Sequence, residues 1–201
     1  MIIRVLAIVV ICLCVGIVWA AGADQETSTE LAPIPAAAAE QRIAQARDVV
    51  TDTLWLKTEE HWHNGEWEEA IRICRQIVQI DPHFVDAYTG AAWMLWSMDR
   101  DEEAIALYRQ GVAANPKRYE IHQDFGMYYW HREKWDEAIE QFRKSAANGA
   151  PQYLQHMLPN SLERAGRKRE ALQEWRALLA RFPDDPIAVQ HIEALEKELE
   201  D

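Results

Sequence analysis

An alanine returns at one phase along most of this 201-residue chain: Ala70, Ala104, Ala138 and Ala171, spaced 34, 34 and 33 residues apart. Each opens an Ala-Ile or Ala-Leu step. A proline follows 12 residues after three of them, at Pro82, Pro116 and Pro183, and one position later after Ala138, at Pro151. A whole phrase keeps the same beat, HWHNGEWEEAI at 61–71 and YWHREKWDEAI at 129–139. A period of this size with turn residues at fixed phase predicts an all-α solenoid of stacked helix pairs. The small Ala side chains let paired helices approach toward the close end of the roughly 8–10 Å interaxial range. Each proline lacks an N–H and stops one hairpin before the next begins. Trp67, Leu95, Tyr108, Tyr129, Trp135, Phe142 and Trp175 are expected to fill the spaces between.

These residues resemble the tetratricopeptide (TPR) repeat, which carries small residues, Ala, an aromatic and Pro near roughly positions 8, 20, 24 and 32. The resemblance implies a right-handed solenoid of about four helix-turn-helix units, at 51–84, 85–118, 119–151 and 152–184. An N-terminal helix at 36–50 is expected before them, and a capping helix at 185–201 after them, with Ile187, Ile192, Leu195 and Leu199 as its apolar residues. The run from Ala36 to Asn64 contains no Gly or Pro, so one long helix or two broken near Asp48 would both fit. In the fourth unit Pro159 falls inside the first helix and should kink or split it, at about 3 kcal/mol.

The N-terminus is a different material. Arg4 precedes an uncharged stretch from Val5 to Ala23, and Asp24, Glu26 and Glu30 follow. A basic start, an apolar stretch and a small-residue end read as a secretory signal peptide over 1–23. The stretch is also long enough for a single transmembrane anchor. Both readings place the rest of the chain outside the cytoplasm, periplasmic, secreted or membrane-anchored, because the positive charge stays inside. Residues 24–35 read as a flexible linker ending in two prolines. Cys12 and Cys14 lie in the apolar stretch, so Cys74 is alone in the repeats, at a core position where an inert thiol is expected.

The resemblance further implies that the first helix of each pair lines a groove that binds a protein or peptide segment. The residues it puts on that wall are Trp55, Glu59, Trp62, His63, Thr89, Trp93, Trp96, Gln123, Met127, Trp130 and His131, with His156, Asn160, Glu163 and Arg164 continuing it in the fourth unit. Trp62, Trp96 and Trp130 follow one another at intervals of 34. Trp67, Trp135 and Trp175 are read as packing residues, and Trp55 and Trp93 as exposed. Several exposed Trp side chains on one wall mark a binding surface. Repeat domains that clamp a terminal carboxylate use Lys, Asn and Arg, whereas the matching positions here are Trp55, Glu59, Gly90, Glu120 and Asp124. An aromatic, acid-rimmed groove instead suits an apolar or Pro-containing segment flanked by Lys or Arg, held partly by cation–π contact.

Charge narrows the partner further. The net charge of −12 repels nucleic-acid backbones and anionic membrane surfaces, leaving membrane contact to residues 1–23. His61 and His63 are two apart on a helix and point away from each other, while Glu59 and His63 share a face but are too few for a closed zinc site. No nucleophile or acid–base constellation assembles, so neither an enzyme nor a cofactor or metal is expected. The alternatives to a scaffold or assembly factor are a glycan-binding groove and a structural subunit with its Trp surface permanently covered. The oligomeric state stays open.

Overall fold

The structure is a computed structural model that describes residues 35–200, and residues from Ala39 onward form one compact unit. The expected leader at 1–23, and the linker as far as residue 34, lie outside the described residues. With nothing to stop it before Asn64-Gly65, α1 runs unbroken from Ala36 to His63, with no interruption near Asp48. Its first buried residue is Thr51, so the packing begins where the 34-residue period begins.

Helix pairs follow in the expected order. Helix α1 is followed by α2 (Trp67–Ile80), α3 (Val85–Ser97) by α4 (Asp101–Ala114), and α5 (Tyr119–His131) by α6 (Trp135–Ala147). In the fourth pair the first helix is split into α7 (Gln152–Gln155) and α8 (Met157–Arg164), and α9 (Lys168–Arg181) returns. The split at His156 is the expected effect of Pro159, which offers no N–H to the carbonyl of Gln155. Helix α10 (Pro186–Glu200) closes the array, and no strand occurs among the described residues. The four periodic alanines are completely buried, as the close approach of each pair requires.

The turn inside every pair has one geometry. Gly65, Asp99, Glu133 and Gly166 occupy the left-handed region, with φ of 77°, 60°, 55° and 74°. The next amide reaches back to a carbonyl five residues earlier: Glu66 to His61 at 2.8 Å, and Arg100 to Leu95, Lys134 to Tyr129 and Arg167 to Leu162 at 2.9 Å. This is the Schellman closure, which satisfies carbonyls otherwise orphaned at a helix end. Between pairs the chain passes through the prolines. The late Pro151 has a local cause: after α6 the chain turns through Gly149, also left-handed at φ 86°, before the proline is reached.

Successive pairs are tied by one arginine at each step. Arg100 reaches Glu68 at 2.6 Å, Arg132 reaches Asp101 at 2.6 Å, and Arg167 reaches Asp136 at 3.1 Å. Each runs from a turn to the second helix of the preceding pair. These pairs are solvent-exposed in part, so they set register more than they add stability.

Helix α10 is anchored by Asp185, whose Oδ1 accepts the N–H groups of Ile187 at 3.0 Å and Ala188 at 3.2 Å. Pro186 takes the first helical position, where a missing N–H costs nothing. The other oxygen of Asp185 accepts from Gln152 at 2.9 Å and lies 2.6 Å from His156 Nε2. Burial pushes this carboxyl up, but the hydrogen bonds from Gln152, His156 and the Ala188 amide outweigh it and hold it at about 2.

Candidate functional site

The wall built by α1, α3 and α5 contains two adjoining clefts. The first, about 340 Å³, is lined by Trp55, Thr58 and Trp62 from α1 and by Gly90, Trp93 and Met94 from α3, with Glu59 its one charged residue. The second, about 560 Å³, is lined by Thr89, Trp93 and Trp96 from α3, Tyr108 from α4, and Asp124, Met127, Tyr128 and His131 from α5. Gly90 and Trp93 belong to both, so the clefts share a wall. At Gly90 a Cβ would sit 3.5 Å from the Trp55 ring, ordinary contact distance, so the helices approach closely here without demanding glycine.

Tryptophan–tryptophan contacts give the wall its shape. Trp93 meets Trp62 and Trp67 at 5.8 Å between ring centroids, and Trp96 at 6.3 Å. Trp62 remains 43% and Trp93 40% exposed, which is high for side chains of this size. Trp96 differs: Arg132 lies 5.5 Å from its ring centroid and His131 stacks on it at 5.6 Å. Its cation–π capacity is therefore already used within the chain. Trp130 packs edge-on against Trp135 at 5.1 Å.

Most residues expected on the wall are there. Trp55, Glu59, Trp62, Thr89, Trp93, Trp96, Met127 and His131 line the two clefts. His63 is exposed and stacks on Trp62 at 5.4 Å. Trp130 stands apart, lining a third cleft with Asn160, Glu163, Arg164, Lys168 and His191. Trp55, expected to be exposed, is half-buried because it leans on Phe84 at 5.5 Å.

Two expectations need correction. Gln123 does not face the groove: it is buried, and its side-chain oxygen accepts the Ser145 hydroxyl at 3.0 Å. The next residue, Asp124, one helical step of about 100° away, faces the groove instead. Glu163 is not a free wall residue either. Its Oε1 accepts the indole N–H of Trp175 at 2.6 Å and lies 2.8 Å from His191 Nδ1. Trp175, fully buried, stacks on His191 at 4.4 Å, so Glu163 joins the fourth pair to α10.

Asp124, read from the sequence only as part of the acidic rim at a clamp-matching position, lines the larger cleft itself. Burial pushes its carboxyl up, the Thr89 hydroxyl draws it back, and the charges of Asp86 and Glu120 push it up further, to about 6. Among the described residues no Lys, Arg or His lies within salt-bridge distance of it. Cys74 is buried and free, and burial pushes its thiol up to about 11, which suits packing and not reactivity. Among the described residues, no three His, Cys, Asp or Glu side chains converge as metal ligands would.

Residues 61–124 match the family model described as tetratricopeptide repeat. Over those residues the chain carries the tetratricopeptide repeat. The solved structure of pilF from Pseudomonas aeruginosa resembles this fold with a TM-score of 0.59 at 18% identity, over 77% of this chain and 72% of that one. MamA gives a TM-score of 0.57 at 16% identity, over 73% of this chain and 81% of its own. PilW, described as a widely conserved type IV pilus biogenesis factor, gives 0.54 at 18% identity, over 74% and 69%. No curated protein matches the chain in sequence. The likenesses are likenesses of fold. Tetratricopeptide repeats are generally non-catalytic modules of protein–protein interaction. No helix among the described residues is long and apolar enough to cross a membrane.

Proposed function

We propose that this protein captures a protein segment along the wall formed by Trp55, Glu59, Trp62, His63, Thr89, Trp93, Trp96, Met127 and His131, with Trp130 in the neighbouring cleft. The observation that carries the reading is the exposed pair Trp62 and Trp93, in edge contact at 5.8 Å on the rim of an almost wholly apolar cleft. Aromatic anchors around a pocket are what dominate the affinity of protein interfaces. The segment is apolar, with Lys or Arg flanking it, because the charged residues lining the two clefts are the acids Glu59 and Asp124. Residues 1–23 act as a leader or anchor, and the repeats work outside the cytoplasm as an assembly or maturation factor of the cell envelope. The fold likeness to PilW, named as a pilus biogenesis factor, supports that setting.

The test is capture from a membrane extract by the full-length chain, beside a Trp62→Ala/Trp93→Ala variant whose helix content is first matched by circular dichroism. A partner held by the native chain and lost by the variant supports the reading. Equal retention moves the function to another face.

A further inference from the structure

We propose that Asp124 is the anchor for one lysine or arginine side chain of the bound segment, beside an apolar side chain seated in the Trp55–Trp62–Trp93 cleft. The inference rests on the groove reading above and adds to it a residue, a charge and an order of subsites. Three observations lead to it.

Asp124 is a half-buried carboxylate that lines the larger cleft, and among the described residues no Lys, Arg or His forms a salt bridge with it. Several acids at the helix junctions do find a partner within the chain: Glu68 and Glu103 with Arg100, Asp101 with Arg132, Asp136 with Arg167, Glu120 with Arg118. A partly desolvated charge left unpaired beside an open cleft has its counter-ion missing from the chain itself.

The electrostatic surroundings favour a cation. Asp86 adds negative charge beside Asp124, Glu120 adds some although Arg118 holds it, and His131 is the one basic side chain lining either cleft. Arg132 is held by Asp101 at 2.6 Å and lies over Trp96, and Arg118 is held by Glu120 at 2.9 Å. Neither can serve Asp124 without leaving the acid that holds it.

The shared wall sets the order. Trp93 and Gly90 face both clefts, so a segment crossing them places an apolar side chain on one side of Trp93 and a second side chain on the other, next to Asp124. In an extended segment alternate side chains point to the same face. The exposed face of Trp93 supplies a π surface for the stem of that second side chain, a surface that Trp96 has already given to Arg132.

The experiment is a selection from a random dodecapeptide phage library on the immobilised full-length chain, repeated on Asp124→Asn and on Trp62→Ala/Trp93→Ala. The native chain is expected to enrich Lys or Arg at a fixed, short spacing from a large apolar residue, and Asp124→Asn to lose the basic preference while keeping the apolar one. A selected peptide is then synthesised with its basic residue and with citrulline or norleucine in that place. The substitution should weaken binding about tenfold to the native chain and have little effect on Asp124→Asn, the signature of one coupled charge pair. Asp124→Glu should restore part of the preference. Selection of neutral or acidic peptides by the native chain, or the same basic enrichment on Asp124→Asn, overturns the anchor while leaving the groove standing. Peptides that bind Trp62→Ala/Trp93→Ala as well as the native chain overturn the groove reading and the anchor with it.

Discussion

Gly126 faces Phe142 so closely that a Cβ on it would lie 2.6 Å from the ring carbon Cε1 and 2.7 Å from Cδ1. Both residues are buried, in the two helices of the third pair. The absence of a side chain at Gly126 is therefore what lets α5 and α6 come together. Gly126→Ala should destabilise the domain by about 1–3 kcal/mol, the usual cost of overpacking a filled core. Urea unfolding measures it, and Phe142→Leu in the same chain should recover part of the loss.

The four turns inside the helix pairs share a left-handed residue, but only two are glycine. Glu133, at φ 55°, bears the strain of a side chain in a region that favours glycine. Glu133→Gly should be neutral to stabilising, by about 0.5 kcal/mol, after the extra freedom of the unfolded glycine is set against the relief. Gly166→Ala, at φ 74°, should cost about 1 kcal/mol. Thermal unfolding of the two variants side by side would show opposite signs.

Asp124 makes stability depend on pH in a direction unusual for a carboxylate. Its folded value is raised to about 6 from an ordinary 3.8. Its contribution is therefore fully present below the lower value and lost as pH rises through the higher one. Asp124→Asn removes this dependence. The variant should be more stable than the native chain by about 1–2 kcal/mol near neutral pH, after discounting for partial exposure. The gap should close as the pH is lowered toward the ordinary value. An unchanging gap across that range would mean that Asp124 is as well solvated folded as unfolded.

Glu163 serves both Trp175 and His191 through one oxygen. Glu163→Ala strands the buried indole N–H and should cost about 1–3 kcal/mol, whereas Glu163→Gln keeps an acceptor and should cost less. Hydrogen exchange would place the loss in α8, α9 and α10, with the first two pairs unchanged. Asp185, held at about 2, loses its contribution only as pH falls from the ordinary carboxylate range through that value. Detachment of α10 is therefore expected in strong acid and not in the mildly acidic range where Asp124 titrates.

The sequence by itself determined the repeat. A 34-residue beat of Ala and Pro calls for like helix pairs stacked at one spacing, so the buried Ala row and the solenoid followed from residues at fixed phase, and the split at His156 from the out-of-phase Pro159. Most of the wall was also legible, because side chains four apart on a helix share a face. What the period could not resolve was which way a side chain at the boundary of that face turns. Gln123 and Asp124 are one residue apart. Only packing decided that Gln123 goes inward, where Ser145 gives it a hydrogen bond, leaving the carboxylate of Asp124 at the cleft. The same holds for Glu163, whose position in the repeat matches that of Trp62, Trp96 and Trp130 but whose partners come from α9 and α10. Likewise, nothing in a one-dimensional pattern pairs Arg132 with Trp96 across two repeats, yet that contact leaves Trp62 and Trp93 as the aromatic faces still open. Periodicity fixes the backbone and the average face of each helix. The contacts between helices fix which polar groups find partners inside the chain and which are left for another molecule.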